Sequence, residues 1–96
     1  MRNLITIKEE LLKHKQRLVD KYGLSLIAIF GSYSRNQQTK ASDVDILVEF
    51  NKPIGIEFID LAEELEKILN LKVDLVSKKG IKEKYLKSIV DDLEYV

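Results

Sequence analysis

Residues 30–48 read FGSYSRNQQTKASDVDILV, and this stretch decides how the rest of the chain is interpreted. A Gly-Ser pair follows an apolar run that ends at Phe30, and an Asp-x-Asp pair opens the next apolar run. Side chains at positions i and i+2 of a strand project to the same side of a sheet, with Cα atoms roughly 6.5–7 Å apart. The carboxylates of Asp43 and Asp45 are therefore predicted to reach the same small region.

Two carboxylates that face one region require a cation, and their chemistry indicates which one. Hard oxygen ligands suit Mg²⁺ or Mn²⁺, and a magnesium site is usually completed by waters and substrate phosphates. The acidic pair therefore predicts a phosphorylated ligand. Gly31 allows a sharp turn and a close approach of that ligand to the backbone, while Ser32 offers a hydroxyl and an amide N–H to a phosphate.

A third acid, Asp74, lies in another short apolar run over residues 72–77. With Asp43 and Asp45 it would form a site able to hold two metal ions, which supports in-line phosphoryl transfer with the ions about 3.5–4 Å apart. All three acids are therefore predicted as metal ligands and as catalytic residues. The plainer alternatives are that Gly-Ser is an ordinary turn, that Asp-x-Asp is a helix cap, and that Asp74 faces solvent.

Apolar periodicity outside this stretch predicts the remaining elements. Val44, Ile46 and Val48 share one face of their strand and are expected to pack on helices, which leaves Asp43 and Asp45 facing an open cleft. The predicted elements are helices over about 6–22, over 58–69 and from Gly80 to about Leu93, strands over 24–30, 44–50 and 72–77, and a short helical turn within 33–40. This order predicts a small α/β (α+β) fold, with a mixed sheet of three to four strands and helices packed on one face.

Length, charge and composition limit the classes of function. The 96 residues suffice for one compact domain, predicted to span 1–96. Sixteen basic side chains balance sixteen acidic ones, so direct binding of nucleic acid is not expected. No run approaches the roughly 20 apolar residues of a membrane span, and the charged start is unlike a signal peptide. Cysteine is absent, and a cytoplasmic protein is expected.

Gly-Ser, ten residues and then Asp-x-Asp form a pattern similar to the signature of the polymerase-beta-like nucleotidyltransferase superfamily. The short chain resembles the minimal members of that superfamily, the MNT domains, along nearly its whole length. The resemblance implies a nucleotidyltransferase fold and four nucleotide-binding residues, Gly31, Ser32, Arg35 and Ser42. Family members usually read Gly-Ser-x-Ala-Arg-Gly, so Ser34 and Asn36 depart from the commonest form without removing a metal ligand.

Two side chains near the Gly-Ser pair have alternative interpretations when the residues are considered alone. Arg35 could neutralise the charge of a triphosphate, or it could be a solvated or salt-bridged side chain. Tyr33 could contact a base or ribose, or it could cover the edge of the strand.

The resemblance also implies a reaction and a partner. Many MNT proteins are antitoxins that transfer AMP from ATP to a tyrosine of a small helical HEPN ribonuclease toxin. The chain is thus expected to be a metal-dependent protein adenylyltransferase, with ATP as substrate and Mg²⁺ as cofactor, as two ions or with Mn²⁺ in their place. It is expected to form a hetero-oligomer with a HEPN-type toxin. The alternatives are an antitoxin of the same fold that neutralises its toxin by binding alone, and transfer to a small molecule such as an aminoglycoside.

Overall fold

The computed structural model describes residues 2–96, in which three α-helices and four β-strands form a mixed sheet covered by helices. Single 3-10 turns precede and follow the last helix. The elements are α1 (Leu4–Tyr22), β1 (Leu24–Phe30), β2 (Val44–Phe50), α2 (Glu57–Leu69), β3 (Val73–Ser77), α3 (Glu83–Ile89) and β4 (Glu94–Tyr95). None of the helices in this described part is long and apolar enough to cross a membrane.

Hydrogen bonds at its two ends define the first helix. The Asn3 side chain accepts a bond from the Thr6 amide at 3.1 Å, and Thr6 Oγ1 accepts one from the Asn3 amide at 3.0 Å. This capping box starts α1 two residues before the predicted position. At the other end Gly23 adopts φ +68°, and its N–H donates to the Val19 carbonyl at 2.9 Å. The left-handed glycine ends the helix and turns the chain into β1.

The four strands lie in the order β3-β2-β1-β4. β1 pairs antiparallel with both β2 and β4, whereas β2 and β3 run parallel. A parallel pair needs a crossover connection, and α2 supplies it. The predicted mixed sheet of three to four strands is confirmed, and its parallel pair brings Asp45 and Asp74 to matching positions.

Helices α1 and α2 cover one face of the sheet. Val44, Ile46 and Val48 point to this face and are fully buried, as alternation predicts. They pack with side chains of β1 and the two helices, namely Ile7, Leu11, Leu18, Ile27, Ile29, Leu61, Leu65 and Leu69. Each large apolar side chain contributes about 1.5–3 kcal/mol when it is removed from water. This apolar layer therefore fixes the position of β2, whose opposite face carries Asp45.

The opposite face of the sheet is covered in part by α3. Leu47 is fully buried there and packs with Phe30 and with Ile89 of α3. Leu47 and Asp45 are two residues apart, so an apolar and an acidic side chain share this face of β2. The expectation of helices on one face holds for α1 and α2, whereas α3 packs over Leu47 and leaves Asp45 beside an open cavity.

The C-terminal segment differs from the sequence prediction. α3 ends at Ile89, Val90–Asp92 form a single 3-10 turn, and Glu94–Tyr95 pair with β1. The prediction of a helix that reaches Leu93 is therefore wrong. Val90 and Leu93 have helical spacing relative to the preceding apolar residues, and a two-residue strand has no periodicity that a sequence pattern could reveal.

The polar segment after β1 forms a turn. The Arg35 N–H donates to the Gly31 carbonyl at 3.2 Å, and the Asn36 N–H donates to the Tyr33 carbonyl at 3.3 Å. Asn36 then adopts φ +56°, which ends any helical path. The short helical turn predicted within 33–40 is thus limited to this one turn at its start.

Candidate active site

Asp45 on β2 and Asp74 on β3 are register partners across the parallel pair of strands. Adjacent strands lie about 4.8 Å apart, and the carboxyl groups of the two acids are close enough for Asp74 to affect the pKa of Asp45. Burial raises the pKa of Asp45 to about 6, with further contributions from Asp74 and from the charge of Asp43. Burial and the neighbouring acids thus disfavour the charge of Asp45, at a position where a divalent cation could bind.

Asp43 lies just before β2 and is exposed, at the rim of this pair. Across residues 2–96, no three histidine, cysteine, aspartate or glutamate side chains stand close enough to hold a metal ion by themselves. Magnesium is usually held by one or two carboxylates together with water and substrate phosphates. The Asp45–Asp74 pair therefore has the donor chemistry that the protein side of a magnesium site needs.

Gly31 is in close contact with the side chain of Asp45. Its φ is +76°, a conformation that side chains other than glycine rarely adopt, and a Cβ built on Gly31 would collide with Oδ2 of Asp45. Phe30, the preceding residue, is the register partner of Asp45 in the antiparallel pair. The glycine is therefore required both for the turn and for the approach of the carboxylate to the backbone.

The turn that follows Gly31 is closed by its own polar groups. Ser34 Oγ donates to the Gly31 carbonyl at 2.9 Å, and the Gln37 N–H donates to the Ser32 carbonyl at 2.8 Å. Asn36, which stands where the resembling family usually has glycine, adopts φ +56°. Asparagine is one of the few residues that tolerate this left-handed region. Both departures from the family pattern are therefore compatible with a tight turn.

Ser42 and Tyr33 have structural contacts within the protein. Ser42 lines the cavity described below, and its Oγ accepts a hydrogen bond from the Thr39 N–H at 2.9 Å. Tyr33 is buried in the apolar cluster beneath the sheet. Of the two alternatives for Tyr33, the structure favours a packing role over contact with a base or ribose.

An open cavity of about 540 Å³ lies beside these residues. Ligand sites in proteins commonly measure about 300–1,000 Å³. Six of the seven predicted site residues line it, namely Gly31, Ser32, Arg35, Ser42, Asp43 and Asp45. The seventh, Asp74, does not line the cavity and meets the site through its contact with Asp45. The motif residues are thus brought together, with Asp74 at the edge.

The C-terminal segment forms the other wall of the cavity. Phe30 lies at the base, and Tyr85, Ser88, Ile89 and Asp92 complete the lining. No feature of the sequence singles these four residues out, because they lie far along the chain from the motif. Only the packing of α3 and the pairing of β4 with β1 bring them to the site.

Arg35 combines the two roles that its position allows. It lines the cavity, and its Nη1 forms an ion pair with Asp92 Oδ2 at 2.9 Å. Its Nε donates to Gln37 Oε1 at 3.1 Å. Its positive charge also acts to lower the pKa of Asp45, against the larger effects that raise it. Arg35 is therefore both salt-bridged and close to the acidic pair.

Known proteins are similar to this chain along most or all of its length. A model of the family described as Nucleotidyltransferase domain matches residues 11–96. The chain is 55% identical to a candidate protein adenylyltransferase of Methanocaldococcus jannaschii, with full coverage of both chains. It is 41% identical to the protein adenylyltransferase MntA of Thermococcus cleftensis, over all of this chain and 98% of that protein.

Solved structures share the fold. A candidate minimal nucleotidyltransferase superposes with a TM-score of 0.80 at 25% identity, covering 99% of this chain and 95% of the other. A toxin–antitoxin structure with AMP-PNP gives 0.75 at 28% identity, with coverages of 92% and 70%. A Shewanella oneidensis complex of a tri-AMPylated HEPN toxin with an MNT antitoxin gives 0.70 at 27% identity, with coverages of 93% and 70%. The predicted resemblance is confirmed, and the chain belongs to the nucleotidyltransferase domain family as one of its minimal members.

Proposed function

We propose that this chain is a metal-dependent protein adenylyltransferase that transfers AMP from ATP to a hydroxyl of a HEPN-type toxin, and so acts as its antitoxin. The observation that carries the proposal is the Asp45–Asp74 pair, held in register by parallel strands with the Gly31 turn fitted against it. This arrangement adjoins a cavity whose wall includes the cationic side chain of Arg35. Acids for metal ions and a cation for phosphates are the parts that nucleotidyl transfer needs.

The triphosphate of ATP is proposed to bind along the turn after β1. Gly31 leaves the backbone accessible, and Ser32 supplies a hydroxyl and an amide N–H. Arg35 supplies a permanent positive charge on a planar group that suits phosphate oxygens. Ser42 is the fourth proposed nucleotide-binding residue, and its contact with Thr39 keeps it at the rim of the cavity.

Asp43, Asp45 and Asp74 would hold Mg²⁺, as two ions or with Mn²⁺ in their place. The donor set fits, because carboxylate oxygens are the ligands that these ions prefer. A bound cation would also offset the burial and the neighbouring negative charges that raise the pKa of Asp45. When bound, the metal supplies charge stabilisation for the triphosphate and lowers the pKa of the attacking hydroxyl.

The proposed reaction is an in-line displacement at the α-phosphorus of ATP. The acceptor oxygen forms a bond to this phosphorus while the bond from phosphorus to the departing pyrophosphate oxygen breaks. The proton of the acceptor hydroxyl passes to the carboxylate of Asp74, which is exposed and so open to an incoming group. Arg35 offers N–H donors to the departing pyrophosphate. Positioning and charge stabilisation supply most of the rate enhancement.

The proposed acceptor is a tyrosine of the toxin, with which the chain would form a hetero-oligomer. Similar proteins support this partner, since one related structure is a toxin–antitoxin with AMP-PNP and another holds a tri-AMPylated HEPN toxin. Tyr85 lines the cavity and is 49% exposed, so a side chain carried by another protein can reach this wall. We place the reaction in the cytoplasm, where ATP is available.

The proposal is tested by following label from ATP into a HEPN-type toxin offered as the partner. Label from [α-³²P]ATP is expected to enter the partner, and label from [γ-³²P]ATP is not, because AMP is transferred and pyrophosphate leaves. The double variant Asp43→Ala, Asp45→Ala should transfer neither. Transfer of the γ-label would contradict the proposal in favour of a kinase. A stable complex without transfer of either label would favour neutralisation by binding alone.

A further inference from the structure

Two side chains from different parts of the molecule hold the guanidinium of Arg35. Nη1 pairs with Asp92 Oδ2 at 2.9 Å, and Nε donates to Gln37 Oε1 at 3.1 Å. A guanidinium carries five N–H donors in one plane. Two of them are used by these contacts, and the plane of the other three is set by the same contacts. Those three can serve a ligand in the cavity that Arg35 lines.

The fold fixes the position of Asp92. Ile89, three residues before it, packs on Phe30, and Glu94, two residues after it, pairs with Ile29. Both contacts lie at the end of β1 that leads into the Gly-Ser turn. The side chain of Asp92 is only 27% exposed. Its carboxylate therefore has a defined position on the cavity wall.

The charge of Asp92 argues against a direct role in binding an anion. Asp92 lines the cavity together with Asp43 and Asp45, and a further negative charge there opposes a triphosphate. The ion pair with Arg35 neutralises this charge. What the pair offers to a phosphate is therefore a set of oriented N–H donors and not a net attraction.

We infer that Asp92 is a positioning residue, which holds the Arg35 guanidinium in the orientation that binds the triphosphate of ATP. The inference rests on the proposed function, because it takes ATP to be the ligand of this cavity. An ion pair between partly exposed side chains contributes little to folding stability. The positioning role can therefore be separated from a structural one by measurement on folded protein.

The test is a double-mutant cycle on the binding of AMP-PNP with Mg²⁺, measured by calorimetry. Asp92→Ala is expected to weaken binding about two- to fivefold when Arg35 is present. In the Arg35→Ala background the same change should cause no further weakening. Asp92→Asn keeps an oxygen acceptor for Nη1 and should retain more affinity than Asp92→Ala. Asp91→Ala, at an exposed neighbour that does not line the cavity, should bind as the wild type does.

Equal weakening by Asp92→Ala with and without Arg35 would overturn the inference, because Asp92 would then act independently of that residue. Tighter binding by Asp92→Ala in the presence of Arg35 would also overturn it. Thermal unfolding identifies folded variants, and Asp92→Val, which also lacks an acceptor for Nη1, replaces the alanine variant in the cycle if the latter unfolds. Failure of the wild type to bind AMP-PNP would reject the proposed function and the inference together. Binding by the wild type with an additive cycle would reject the inference alone.

Discussion

Asp45 and Asp74 lie opposite each other across β2 and β3, close enough for Asp74 to affect the pKa of Asp45. This relationship exists because the two strands run parallel in a fixed register. A shift of one residue in either strand would turn its acid to the apolar face. The buried layer that fixes the register, with Val44 and Ile46 packed on α1 and α2, thus also fixes the site.

Removal of one carboxylate should abolish stabilisation of the protein by metal ions. Millimolar Mg²⁺ or Mn²⁺ is expected to raise the unfolding temperature of the wild type, because a ligand that binds the native state alone stabilises it. Asp45→Asn should lose this increase. Its metal-free form should unfold no earlier than the wild type, since burial and the neighbouring acids, which raise the pKa of Asp45 to about 6, disfavour its charge. Differential scanning calorimetry with and without metal measures both effects.

Glu49→Gln is the matched control for this experiment. Glu49 lies on β2, on the same face as Asp45, and pairs with Lys78 at 3.8 Å. Its variant should keep the full metal effect. The same temperature increase in Asp45→Asn as in the wild type would show that the metal binds elsewhere.

Gly31→Ala is expected to destabilise the protein and to impair the site. The left-handed φ costs an alanine about 1–2 kcal/mol, and the added methyl would force the Asp45 carboxylate to move. We expect the free energy of unfolding to fall by about 2 kcal/mol or more. Urea denaturation measures the change.

The control for this substitution is Gly55→Ala, where the nearest atom to an added Cβ is a Glu57 side-chain oxygen at 3.7 Å and φ is not left-handed. It should leave stability within about 1 kcal/mol of the wild type. Equal stability of the two alanine variants would contradict the account of the Gly31 turn.

Glu64 joins α2 to α1 and should make stability depend on pH. It accepts a hydrogen bond from the Tyr22 hydroxyl at 2.6 Å, one from Lys21 at 3.3 Å and an ion-pair bond from Arg17. Burial alone would raise the pKa of Glu64, but these three donors outweigh it and lower the pKa from 4.5 to about 2. Since the folded pKa is the lower one, the stabilisation is complete above about pH 4.5 and is lost as the pH falls towards 2.

Glu64→Gln should therefore lower the free energy of unfolding by about 1–3 kcal/mol at pH 7, and the difference from the wild type should shrink near pH 2–3. The side chain of Glu64 is only 18% exposed, so solvent screens these bonds little. Denaturant unfolding at both pH values measures the effect, with the exposed Glu63→Gln as control. A difference that does not change with pH would contradict a charge-based role.

The Gly-Ser and Asp-x-Asp part of the site could be predicted because its geometry depends on residues close together in the sequence. The Gly31 turn and the Asp43–Asp45 alternation depend on adjacent residues, and β1 and β2 have the predicted bounds. The position of Asp74 was harder to predict, because its approach to Asp45 depends on the parallel pairing of β2 with β3, which α2 connects. The sequence predicted Asp74 as a third acid of the site, but its spacing did not predict this parallel pairing.

The far wall of the cavity was not predictable for a physical reason. Tyr85 has the spacing of a buried helical residue, yet it is half-exposed at the cavity. Asp92 reaches Arg35 only because the two residues of β4 pair with β1. A strand of two residues leaves no recognisable pattern in the sequence. The turn before it contains apolar residues whose spacing fits a longer helix, so the sequence predicted a helix there.

The central claim is that this chain adds AMP to a partner protein, and intact-mass analysis tests it most directly. A HEPN-type toxin would be incubated with this chain, ATP and Mg²⁺, in parallel with the Asp43→Ala, Asp45→Ala variant. The account predicts mass increments of one or more AMP groups that are absent with the variant. An unchanged mass, with a tight complex formed by both versions, would contradict catalysis and leave an antitoxin that acts by binding.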